Sequence, residues 1–173
     1  MHNHLSFLVK PSSSLCNLDC TYCFYKKHTA EELPNPTLMT LKCAYKLVDR
    51  VMSSTLQSAH FIFQGGEPLL QDIDFYSQFV SYVNEHNTGK KVEYSLQTNA
   101  TLITHEFALF FKKNNFLIGV SLDGIESLHN LNRDASFVDV MKGIDILKEN
   151  EVEFNILSVV TIDSKEFIEE SYK

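Results

Sequence analysis

Apolar residues in this chain change their spacing as the sequence advances, and that switching constrains the fold more than any other feature. Short apolar runs suited to strands occur at Leu5 to Val9, Phe61 to Phe63, Val92 to Leu96, Phe116 to Leu122 and Val152 to Val160. Between them apolar positions recur at helical spacing. Leu41, Ala44, Val48 and Val51 form one such set, with Thr40 placed to cap it. Ile73, Tyr76, Phe79, Val80 and Val83 form the next, then Ile103, Phe107, Phe110 and Phe111, then Phe137, Val140, Met141, Ile144 and Leu147. From the second strand onward each unit runs about 30 residues, the size of a βαβ repeat. Such alternation predicts an α/β fold: a parallel sheet with right-handed crossovers, its apolar strands covered by helices. Chemistry in such folds collects at the carboxyl ends of the strands.

The length of 173 residues predicts one domain, and 44% apolar content is enough for a core. Net charge is −7, and the only basic clusters are the pairs Lys26-Lys27, Lys90-Lys91 and Lys112-Lys113. Nucleic acid is therefore excluded as a partner, since its binders carry basic patches. No apolar run approaches the roughly 20 residues of a spanning helix. The start, Met1-His2-Asn3-His4, lacks the basic and apolar regions of a signal peptide. The expectation is a cytoplasmic protein with no membrane partner. In a reducing compartment four cysteines are metal ligands or buried thiols rather than a disulfide framework. Cys43, alone on a predicted helix, reads as a small buried apolar side chain. None of the seven histidines has partners at catalytic spacing.

The longest irregular stretch, Pro11 to Leu38, holds Cys16, Cys20 and Cys23 in the pattern C-x3-C-x2-C. A loop that long inside a compact domain is usually functional. A structural zinc site needs a fourth ligand, which His28 could supply. Ordinary four-iron clusters take four cysteines, so three leave one iron open to another molecule. The polar oddities of the other units all fall at strand ends: Gln64-Gly65-Gly66-Glu67-Pro68, Gln97-Thr98-Asn99 and Ser121-Leu122-Asp123-Gly124. Four segments thus converge on one edge of one sheet. Gly65-Gly66 lets main chain come close to a ligand, or forms an ordinary turn. Gln64, Gln97 and Asn99 are amides that can bind a ligand or satisfy each other. Asp123 is a site carboxylate or part of an Asp-Gly turn.

The run Cys16-Asn17-Leu18-Asp19-Cys20-Thr21-Tyr22-Cys23 resembles the cluster motif of the radical S-adenosylmethionine (SAM) superfamily, and Gly65-Gly66-Glu67-Pro68 resembles its GGEP element. With Phe24-Tyr25, Leu96 to Asn99 and Ser121 to Gly124, the wider context is similar to the anaerobic sulfatase-maturating enzymes, from about Phe7 to Thr161. The resemblance implies one [4Fe-4S] cluster held by Cys16, Cys20 and Cys23, with SAM chelating the open iron. One electron from an external flavodoxin- or ferredoxin-like donor then breaks the sulfonium C–S bond, and the 5′-deoxyadenosyl radical takes a hydrogen atom from substrate. It implies SAM contacts from Tyr22, Gly65, Gly66, Glu67, Ser121 and Arg133. Within that set, Glu67 faces the amino group, Arg133 the carboxylate and the Tyr22 main chain the adenine. Tyr25, Gln64, Gln97, Asn99 and Asp123 would line the SAM or substrate pocket, with Phe24 as a wall. The implied reaction is anaerobic oxidation of a Cys or Ser side chain of a sulfatase to Cα-formylglycine.

The family's core is a six-unit partial (β/α) barrel followed by a cysteine-rich SPASM domain with two auxiliary clusters. Five strands are legible here, then a helical pattern from Ser164 to Tyr172. Residues 1–173 therefore read as an incomplete radical SAM domain, without the SPASM domain or the acid that family members use as base. Ala100 stands where members have Gly, and the segment from Arg133 to Phe137 is short. Two other readings stay open: a maturase of another ribosomal peptide, such as a thioether-forming one, and a non-catalytic remnant.

Overall fold

The computed structural model describes residues 3–25, 37–162, 164, 165 and 170. Five strands form one sheet: β1 (His4–Val9), β2 (Ser58–Phe63), β3 (Lys91–Thr98), β4 (Phe116–Ser121) and β5 (Phe154–Leu157). They pair in chain order, β1-β2-β3-β4-β5, and every pairing is parallel. The connections carry α1 (Leu41–Met52), α2 (Ile73–His86), α3 (His105–Lys113), then α4 (Glu126–Asn132) and α5 (Phe137–Glu149). Three helices begin where a side-chain oxygen caps the first turn. Thr40 accepts from the Cys43 N–H, Asp72 from Phe75 and Thr104 from Phe107. Among the described residues no helix is long and apolar enough to cross a membrane.

Sequential parallel order, with the right-handed crossovers general to such sheets, puts the described helices on one face of the sheet. Burial follows: Ala59, Phe61 and Phe63 of β2 are sealed, while Ser58, His60 and Ile62 between them are only half-buried. Phe61, Phe63, Tyr76 and Phe79 meet edge to face at centroid separations of 5.1–5.3 Å, and Tyr94 stacks on Phe116 at 5.0 Å. Burying such rings stabilises by about 1.5–3 kcal/mol each and makes this layer the core. The opposite face is mixed, with Leu8, Ile62, Leu117 and Leu157 set among polar side chains. His4 bonds Ser58 at 2.8 Å and His60 bonds Ser95 at 2.9 Å. The expectation that helices cover the sheet thus holds for one face only.

Other expectations shift in detail. The strand expected over Val152 to Val160 is regular only over Phe154–Leu157. The third helix starts after its Thr104 cap, leaving Ile103 buried ahead of it. The short α4 has no capping side chain and was not legible. Cys43 is exposed, not buried. The buried face of α1 is Ala44, Val48, Val51 and Met52, and Cys43 sits one residue, about 100°, off it. The helical pattern from Ser164 to Tyr172 lies largely outside the described residues, as does His28.

Candidate functional site

The cysteine loop leaves β1 through a turn at Pro11 to Ser14 and is fastened to three successive strand ends. At the β2 end the Ser12 hydroxyl donates to Gly65 O (3.2 Å) and the Glu67 N–H to Leu15 O (2.7 Å). Gly66 has φ +44°, and a Cβ there would lie 2.0 Å from Leu15 O. The diglycine therefore admits the cysteine loop itself, a finer reason than the ligand approach expected from sequence. At the β3 end Asn17 donates to Thr101 Oγ1 (2.9 Å). Beyond β4, Thr21 donates its N–H to Asn132 O (2.9 Å) and its hydroxyl to Asn132 Oδ1 (3.2 Å), and Asp19 N–H donates to Asp134 (3.2 Å).

This docking brings Cys16, Cys20 and Cys23 to a cavity of about 360 Å³ at the carboxyl edge of the sheet. Gln64, Gly65, Gly66 and Glu67 line it from β2; Gln97, Thr98 and Asn99 line it from β3. Ser121 and Arg133 close the β4 side, with Tyr22, Phe24, Tyr25 and Val159 as walls. Of the residues expected at the site, only Asp123 stands behind the lining. Gln97 donates to Ser121 Oγ (2.8 Å), and a side chain at Gly119 would collide with its Oε1 at 2.1 Å. The Lys10 ammonium sits 4.9 Å from the centre of the Tyr25 ring.

Two buried carboxylates anchor the cavity. Glu67 is 1% exposed and accepts from Leu69 N–H (2.9 Å), Thr98 hydroxyl (2.8 Å) and Asn99 N–H (2.8 Å). Burial pushes its carboxyl up to about 7, against the pull of those donors. Asp123 pairs with Arg133 Nε at 3.0 Å, takes the Tyr22 hydroxyl and accepts Val159 N–H at 3.0 Å. The guanidinium lies 5.4 Å from the Tyr22 ring centre. Burial and the bond to Asp123 keep the Tyr22 phenol protonated far above its ordinary range.

Sequence reasoning missed the support behind that pair. His129, fully buried, accepts Asp123 N–H at Nδ1 (3.3 Å). Its Nε2 meets Ser136 Oγ at 3.0 Å, and Ser136 donates to Arg133 O at 2.6 Å. With the Ser136 proton so committed, Nε2 carries the hydrogen and Nδ1 accepts. Burial, then the nearby Arg133, push His129 down to about 4. The one signal in the sequence is its position four residues before Arg133, one helical turn.

The thiols suit an iron–sulfur cluster. All are free, and the donor set is soft sulfur, the ligand type such clusters take. Cys16 Sγ accepts N–H bonds from Leu18 (3.4 Å) and Asn99 (3.8 Å), which favour a thiolate against the burial that raises the thiol. Burial also raises Cys20, with the Arg133 charge opposing it.

A family model described as the radical SAM superfamily matches residues 11–173. The chain belongs to the radical SAM superfamily. Membership implies SAM and an iron–sulfur cluster as the family's working groups. The chain is 44% identical to a cysteine-type anaerobic sulfatase-maturating enzyme of Clostridium novyi, over 98% of its own length and 47% of the relative's. It is 35% identical to a serine-type enzyme of Bacteroides thetaiotaomicron, over 94% of its own length and 41% of the relative's. The solved structure of anSMEcpe with bound AdoMet and the Cp18Cys peptide superposes with a TM-score of 0.88 at 38% identity, over 96% of this chain and 46% of that one. The parallel five-stranded wall is thus a partial radical SAM barrel. The chain spans about half the length of the curated relatives it matches.

Proposed function

We propose that this chain is the SAM- and cluster-binding part of a radical SAM maturase that oxidises a cysteine or serine side chain of a sulfatase to Cα-formylglycine. The observation that carries the reading is one cavity lined together by Cys16, Cys20 and Cys23, the Gly65-Gly66-Glu67 turn and Arg133. Cys16, Cys20 and Cys23 would hold one [4Fe-4S] cluster. The Arg133 guanidinium, with Nε spent on Asp123, keeps its terminal N–H groups for a carboxylate such as that of SAM. Gln97 and Asn99 pin their neighbours, and Ser121 keeps a hydroxyl at the wall. Gln64 and Tyr25, which line the same cavity, would contact SAM or the peptide substrate. Reductive cleavage of SAM is the chemistry these groups supply when bound, with an external one-electron donor. Higher identity to the cysteine-type relatives than to the serine-type ones favours a cysteine substrate.

The test is anoxic reconstitution with iron and sulfide, then reduction with dithionite in the presence of SAM. The expected result is a brown protein with about four irons per chain, methionine and 5′-deoxyadenosine as products, and loss of both colour and products in Cys20→Ala. A colourless chain that holds zinc instead would overturn the reading. Peptides carrying a sulfatase cysteine or serine then separate formylglycine from thioether chemistry by product mass.

A further inference from the structure

Asn99 lies at the end of β3 with its amide locked in one orientation. Its Oδ1 accepts the Thr101 N–H (3.0 Å), a partner that can only donate. The Asn99 nitrogen is thereby turned the other way, toward Asn17 Oδ1 (2.9 Å) and Cys16 Sγ (3.8 Å). Asn17 Nδ2 donates to Thr101 Oγ1 (2.9 Å), and that hydroxyl donates to Asn99 Oδ1 (2.8 Å), closing a ring of three side chains. The Asn99 backbone is fixed as well, through its N–H to Glu67 Oε2 (2.8 Å). Such a network leaves one amide hydrogen aimed at sulfur, in a residue only 7% exposed. The Leu18 N–H reaches the same sulfur at 3.4 Å.

We infer that Asn99 is a positioning residue whose amide N–H bonds to the Cys16 sulfur and raises the reduction potential of the cluster that sulfur helps to hold. The inference rests on the proposed cluster and goes beyond it. One added electron increases the negative charge on the ligand sulfurs, so a donor aimed at sulfur stabilises the reduced form more than the oxidised one. The effect belongs to Asn99 and not to the ring as a whole, because the Asn17 side chain bonds Thr101 and Asn99, and the Asn99 amide alone in that ring reaches sulfur.

The experiment is a one-electron redox titration of the reconstituted protein, followed by EPR. Compared at the wild-type midpoint, Asn99→Leu should show a reduced-to-oxidised ratio about fivefold lower, as expected for loss of one donor. Asn99→Asp, which keeps the acceptor and adds a negative charge, should fall further. Asn17→Ala, which loosens the loop at Thr101 but spares the contact to sulfur, should move the midpoint less than Asn99→Leu does. Full iron loading with an unmoved midpoint in both Asn99 variants would overturn the inference, as would an Asn17→Ala shift equal to that of Asn99→Leu. If the Asn99 variants take no iron, pulsed EPR on Asn17→Ala labelled with 15N-asparagine decides: a coupled side-chain nitrogen supports the inference and its absence overturns it. Failure of wild type itself to assemble a cluster would instead strike the proposed function, and this inference with it.

Discussion

Glu67 and Asp123 follow β2 and β4, on either side of β3, at the same edge of the sheet and equally hidden from water, yet they are stabilised in opposite ways. Asp123 is matched by a cation, Arg133, at 3.0 Å, with Tyr22 and a backbone N–H completing its shell. Glu67 has only neutral donors, three of them, and its carboxyl rises to about 7. The difference teaches what each carboxylate does. Asp123 holds a charged side chain at the cavity wall. Glu67 ties the β2 and β3 ends together and braces the turn that receives the cysteine loop.

The comparison breaks most severely at Arg133. Arg133→Ala should cost about 3–5 kcal/mol, because it leaves Asp123 buried without its counter-ion, and a urea midpoint measures the loss. Asp123→Asn/Arg133→Met should recover part of it; no recovery would mean that packing, not charge, holds this side.

Next in size are two opposed pH dependences. Glu67 binds its proton more tightly folded than unfolded, so its contribution is full below about 4.5 and is lost as pH rises through 7. His129 binds its proton less tightly folded, so its contribution is full above about 6.5 and is lost as pH falls through 4. Each shift corresponds to about 3 kcal/mol at its limit. Stability curves of the apo-protein should therefore steepen on the acid side for Glu67→Gln and flatten there for His129→Gln. Identical curves for both variants would erase the distinction between the two sides.

A smaller effect is expected at the diglycine. Gly66→Ala costs about 1–3 kcal/mol in backbone strain at φ +44° and also forces the Leu15 main chain to move, so iron uptake should fall more than the melting temperature does. Thr40→Ala, at the cap of α1 and away from both carboxylates, should cost about 1 kcal/mol and leave iron uptake unchanged.

Much of this was legible in the sequence because the signals are periodic or locally spaced. Among the described residues, apolar spacing located the five strands and four of the five α-helices. The convergence at the carboxyl edge followed from the strand ends at Gln64, Gln97 and Ser121. Long-range placement was not legible. His129 looks like any surface histidine until β4 brings Asp123 over it, and α4 is too short for its apolar spacing to stand out. The diglycine suggested a ligand cradle, but a sequence cannot show that Leu15 occupies the space above Gly66. Cys43 misled because one residue of helical rotation separates a core position from an exposed one.

The three thiols lie within eight residues of one another, yet the bonds that fix their loop reach 53, 84, 111 and 115 residues along the chain. Such closures form late, since their entropy cost falls due only when distant strands have paired. Iron capture should therefore follow, not nucleate, formation of the β1–β4 wall: a peptide cut from the cysteine loop lacks the scaffold, and a chain stalled before β4 holds the Cys16 end of the loop but not the Thr21 end.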